Sequence, residues 1–154
     1  MALQQHLRRI FNALTTPTAS AAPADARAMA TVMLLFEVAW ADHDVSSHEL
    51  AQMSHAVQRL HGMTPTAADA LIAQARRDFA TVTALQPFTR ALNDQLSGDE
   101  KFEVVTEMWR LALSDAALDK YEEYHVRRIA ELLYVPHEDF IAAKLIAKQA
   151  TRSP

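Results

Sequence analysis

The chain has no cysteine and only two glycines among its 154 residues. Without cysteine there are no disulfides and no thiolate metal sites, and the redox state of the compartment leaves no mark on the sequence. Two glycines cannot build a glycine-rich phosphate loop or a succession of tight hairpin turns. β-Branched residues are sparse beside alanine and leucine, and no stretch sustains an alternation of apolar and polar residues, so the signals of a sheet are missing. A basic surplus is missing as well. Fifteen Lys and Arg against nineteen Asp and Glu give a formal charge of −4, the wrong sign for a phosphate-binding stripe. The longest apolar run, Ala28 to Phe36, ends at Glu37, short of the roughly 18 uncharged residues of a membrane span. Polar and charged side chains interrupt the first residues, MALQQHLRRIFNAL, unlike a signal peptide. Neither nucleic acid nor a transmembrane segment is expected, and the cytoplasm is the expected compartment.

What is present is helical periodicity. Leu3, Leu7, Ile10, Phe11 and Leu14 recur at the spacing of one helix face, with Arg8 and Arg9 beside it. The small-residue string TTPTASAAPAD, Thr15 to Asp25, then sets a boundary between an amphipathic helix with a Pro/Ala-rich linker, residues 1–23, and a helical domain, residues 24–150. Helices are expected at about 24–42, 47–61, 65–80, 85–97, 99–114, 120–134 and 137–149. Ser46 with Glu49, and Asp119 with Glu122, have the spacing of a capping box. Pro65, after Thr64, and Pro136 stand where a helix tolerates proline, near the first turn. Ser97-Gly98 separates two helices, with Gly98 read as the residue after a helix end.

The stretch WADHDVSSHEL, from Trp40, has an echo 73 residues on, in LSDAALDKYEEY, from Leu113. The shift sets Asp42 on Asp115, Val45 on Leu118, Ser46 on Asp119, Glu49 on Glu122 and Leu60 on Leu133. Each half therefore reads as a buried helix, an acidic turn, a capped helix and a third helix. The expected fold is all-α: a single compact bundle of about seven or eight helices, built from two three-helix units related by a pseudo-twofold. The first helices of the two units are apolar nearly all round and should pack together. The same shift sets Arg110 opposite Glu37, an expected charge pair on those central helices.

The acidic turns admit several readings. An EF-hand beginning at Asp42 would have oxygen ligands at Asp42, Asp44 and Ser46, but Ser47 stands where glycine is needed and Met53 where the bidentate glutamate is needed. A zinc-protease motif beginning at His48-Glu49 has Gln52 in place of its second histidine. His48, Gln52, His55 and Arg59 form the wet face of their helix, opposite the stripe Leu50, Met53, Val57 and Leu60. Glu49 and Glu122 each stand four residues before a core position, where a carboxylate closes a cap and meets the positive end of the helix dipole. The alternative sets Asp42, Asp44 and Glu49 with Asp115, Asp119 and Glu122 around one acidic groove, able to take a divalent cation such as Mg²⁺, Ca²⁺ or Mn²⁺ if the turns meet. No nucleophile, oxyanion hole or phosphate loop accompanies these carboxylates, so an enzyme is not expected and no catalytic residue is assigned. His125 and His137 read as exposed helix residues.

These strings resemble the TerB-like tellurite-resistance domain, whose pattern is a hydrophobic helix, then A-D-G-x-(hydrophobic)-x-x-x-E, then a second hydrophobic helix, repeated in the second half. Ala41, Asp42, Val45 and Glu49 fit the first copy, and Asp115, Leu118 and Glu122 the second, across roughly Ala24 to Gln149. The pattern's glycine is His43 in one copy and Ala116 in the other. The resemblance implies an all-α domain of bacterial tellurite and chemical-stress systems, with divalent metal suspected at the acids and no reaction attached. The expected function is therefore a non-enzymatic, stress-associated binding domain with a divalent cation or a basic partner on its acidic turns. The alternative is an interaction or oligomerisation module that uses its N-terminal helix on another protein, on a second copy, on its own domain, or weakly on a membrane surface.

Overall fold

The computed structural model describes residues 23–40, 44–114 and 120–152, and within them every regular element is a helix. Seven helices follow in order: α1 (Pro23–Ala39), α2 (Ser47–His61), α3 (Pro65–Phe79), α4 (Gln86–Gln95), α5 (Gly98–Ala112), α6 (Lys120–Leu132) and α7 (His137–Arg152). The expected N-terminal helix and its linker as far as residue 22 lie outside the described residues; Pro23, Ala24 and Asp25, read as the end of the linker string, instead open α1.

Helix α1 forms the centre because its stretch from Ala28 to Phe36 carries no charged side chain. Every residue from Ala28 to Phe36 is buried, including Thr31, whose hydroxyl is satisfied by the carbonyl oxygen of Arg27 at 2.9 Å. It packs against α2, α3, α4, α5 and α6. Helix α5 has the corresponding place in the second half, against α1, α2, α6 and α7. The cross-contacts exchange as a twofold requires: α1 packs on α6, and α2 on α5.

Register confirms the echo. Met53, Ala56 and Val57 of α2 are buried, and so are Val126, Ile129 and Ala130, each 73 positions on. Phe36 on α1 corresponds to Trp109 on α5, and each meets an aromatic ring of its third helix. Phe36 stacks on Phe79 at 5.6 Å between centroids, while Trp109 meets Phe140 at 5.1 Å and donates its indole N–H to the Phe140 carbonyl. The correspondence lapses in the third helices. Ala68 of α3 is buried, whereas its counterpart Ile141 on α7 is exposed.

The helix ends explain the corners. Ser46 and Thr64 cap α2 and α3 with hydroxyls that accept from the N–H of Glu49 and of Ala67. Pro65 occupies the first turn of α3. Gly62, at φ +64, closes α2 in the left-handed conformation that glycine adopts without steric penalty. At the end of α6 a tyrosine has this role. Tyr134 has φ +57, its N–H donates to the Glu131 carbonyl, and Val135 N–H reaches back to the Ala130 carbonyl, the pairing of a Schellman motif.

Gly98 corrects the expectation that it follows a helix end. Ser97 Oγ accepts from Glu100 N–H at 3.1 Å, and Glu100 Oε1 accepts from Ser97 N–H at 2.9 Å. The string SGDE is thus a capping box that starts α5, and Gly98 is its first residue. The preceding helix ends at Leu96 in extended backbone, which requires no glycine.

Candidate functional site

The first acidic turn leads into α2. Ser46 is the N-cap, Ser46 N–H donates to Glu49 Oε1 at 3.1 Å, and Glu49 N–H donates to Ser46 Oγ at the same distance. Both halves of the predicted capping box are formed. The geometry drives Glu49 inward, leaving it 4% exposed, while Asp44 remains on the surface and Val45 is buried beneath it. Glu122 occupies the matching place in the first turn of α6 and is 6% exposed. A buried carboxylate at a helix N-terminus is tolerable because unsatisfied N–H groups and the helix dipole favour its charge.

Of the six acids expected around a cation, Asp44, Glu49 and Glu122 are described; Asp42, Asp115 and Asp119 lie outside the described residues. Among the described residues, no three acids or histidines gather closely enough to hold a metal ion. What the structure establishes for the described acids is two inward carboxylates at symmetry-matched corners, and one exposed aspartate beside the first.

The expected Glu37–Arg110 pair does not form. Arg110 Nη1 instead contacts Glu107 Oε1 at 2.6 Å, one turn back on its own helix. Glu37 faces His125, with Oε1 and Nδ1 3.5 Å apart. A twofold shift aligns positions along two helices; it does not aim their side chains at one another, and each charge found a nearer partner. His125 is accordingly half-buried between α6 and α1, whereas His137 is exposed as expected.

The strongest electrostatic feature was not foreseen. Glu107 lies near the middle of α5, 5% exposed, and takes a fork-to-fork pair from Arg59 of α2: Nε to Oε1 at 2.9 Å and Nη2 to Oε2 at 2.7 Å. With Arg110 on the other side, one buried carboxylate holds two guanidiniums and ties α2 to α5. Hydrogen bonding to Glu107 holds the Arg59 guanidinium above its ordinary value, against a smaller opposing effect of burial. Arg59 was placed on the wet face of α2, yet its tip crosses to the neighbouring helix. A signal was available. Val104, Met108 and Leu111 surround Glu107 at positions −3, +1 and +4, which sets it on the apolar stripe.

A second polar group joins α1 to the end of α2. Thr31 Oγ1 is 2.9 Å from both the Arg27 carbonyl oxygen and His61 Nε2. A carbonyl oxygen only accepts, so the single hydroxyl proton goes to it, and Oγ1 accepts from His61 Nε2–H. Proton uptake by the imidazole then falls to Nδ1.

The family model for Tellurite resistance protein TerB matches residues 28–145, which takes in all of the described bundle except its extreme ends. No curated protein and no solved structure matches the chain.

Proposed function

From the premise that the chain belongs to the TerB family, we propose that it works by binding rather than by catalysis, through the acidic corners at the starts of α2 and α6. The observation that supports this most directly is the matched burial of Glu49 and Glu122. Two carboxylates held inward at equivalent corners of a duplicated fold place negative charge where the adjoining turns, each rich in aspartate, add more. Oxygen-only ligand sets of that kind suit hard divalent cations, or the ammonium and guanidinium groups of a basic partner. The chain's role in this reading is a tellurite-resistance-like, stress-associated binding domain.

Calorimetric titration of the full chain with Ca²⁺, Mg²⁺, Mn²⁺ and Zn²⁺ tests the cation form. A ligand that binds only the folded chain raises the melting temperature in proportion to the logarithm of its concentration. The expected result is heat release and a raised melting temperature for at least one hard cation, both reduced in E49Q and E122Q. Absence of heat and of any thermal shift for all four ions would refute the cation form.

A further inference from the structure

Between the start of α1, the end of α2 and the start of α5 lies a cleft of about 170 Å³, apart from the acidic corners. Arg27 and His61 face it from α1 and α2; Glu100 and Glu103 face it from α5; Leu60, Leu96 and Val104 supply its apolar lining. Unlike charges thus share one cleft without touching. No ion pair joins Arg27 to Glu100 or Glu103, and Arg27 Nε is buried with no hydrogen-bond partner. A partly desolvated guanidinium whose Nε makes no hydrogen bond is costly, and an anionic group in direct contact with it relieves that cost.

We propose that this cleft binds a small aliphatic α-amino acid, its carboxylate on Arg27 and His61 and its ammonium on Glu100 and Glu103. A simple anion is a poorer fit, because the two glutamates on the far side repel it; a simple cation meets the same objection from Arg27. A zwitterion satisfies both sides at once. Size agrees as well. An engineered cavity of about 150 Å³ holds benzene, so this cleft takes roughly six to eight non-hydrogen atoms, the range from alanine to valine. The short aliphatic side chain then lies on Leu60, Leu96 and Val104.

His61 reports occupancy. Burial and the Arg27 charge hold its pKa low, against a smaller opposing pull from Glu100. A carboxylate placed beside the ring favours the imidazolium and raises that value. The experiment is an NMR pH titration of the histidine resonances of the full chain at low salt, with His61 assigned by H61Q. L-alanine, L-valine, acetate and methylammonium are each added to roughly 10 mM, ample for an affinity of about 1 mM. The expected outcome is a raised His61 pKa with alanine or valine, and at least a tenfold weaker response to acetate or methylammonium. R27Q abolishes the response. E103Q, at an exposed position where folding is not at risk, weakens it about tenfold. No response to either amino acid overturns the proposal, as does acetate acting as well as alanine, or E103Q leaving the response unchanged. A failed cation titration at the acidic corners leaves this result standing, since no residue is shared.

Discussion

The imidazole of His61 makes folding stability depend on pH. Burial and the neighbouring Arg27 charge favour its neutral form in the folded chain, so its pKa lies below the ordinary 6.5. Between the folded value and 6.5 the unfolded chain therefore binds more protons, and stability falls as the pH drops through that window. H61Q removes the linkage. Melting curves from pH 7.5 to 5 should show the native chain losing stability on acidification and H61Q losing distinctly less; equal slopes would refute the assignment. Glu100 acts lower on the scale. Hydrogen bonds from the Ser97 backbone and hydroxyl hold its pKa below 4.5, so its contribution is present above that value and disappears as the pH falls beneath it. Melting curves that stop at pH 5 stay above the Glu100 window, which allows the histidine effect to be read apart from it. Caps such as Ser46–Glu49 were legible in the sequence because they are local: four consecutive residues fix the geometry. His61 was not. Its character comes from Thr31 and Arg27, thirty or more positions away, and no spacing rule connects them.

At the level of the helices, Glu107 sets the relation between α2 and α5. Its two guanidiniums differ: Arg59 makes the bidentate contact though half-exposed, and Arg110 contributes one bond from the same helix. Removal of either alone leaves Glu107 one cationic partner, so R59A and R110A should each cost at most about 1.5–3 kcal/mol, the range for a hydrogen bond to a charged group. The double variant strands a buried carboxylate, and a cost of about 3–5 kcal/mol is expected. E107M, which replaces the charged group by an apolar chain of similar volume, should come within about 1 kcal/mol of the native chain once both arginines are free to reach water. Urea denaturation of the four variants checks the ordering; a double variant no worse than R59A would mean that water already solvates Glu107. Helix limits and the all-α class were readable from periodicity, and the observed α2 and α3 start where their caps predicted. Pairings between helices were less so. The shift of 73 positions matched the halves correctly but misassigned Glu37 and Arg110, because alignment fixes depth along a helix and leaves the direction of a long side chain to local competition.

For the whole molecule, the exchange of cross-contacts between α1, α2, α5 and α6 gives a four-helix centre, with α3 and α7 as outer members and α4 closing against α1 and α6. The outer members are held differently. Helix α3 packs on both α1 and α2, whereas α7 lies along α5 and reaches α6 through Lys144 on Glu123 and through Phe140 beneath Arg127. Its far side presents Ile141, Leu145 and Ile146 to solvent, so less of its apolar surface contributes to holding it in place. Local opening free energies follow such differences in buried contact. Native-state hydrogen exchange should therefore place the amides from Ala28 to Phe36 at the global unfolding free energy, of order 5–15 kcal/mol for a domain of this size. The amides of α7 should open at least about 1–2 kcal/mol below that, as a unit, because their packing can be lost while the α1–α5 centre stays closed. F140A, which removes the ring against Trp109, should widen the gap, since its ring secures α7 and lies outside that centre. Were α7 as slow to exchange as α1, the two halves would form one cooperative block, and the departure of the third helices from the twofold would carry no energetic consequence.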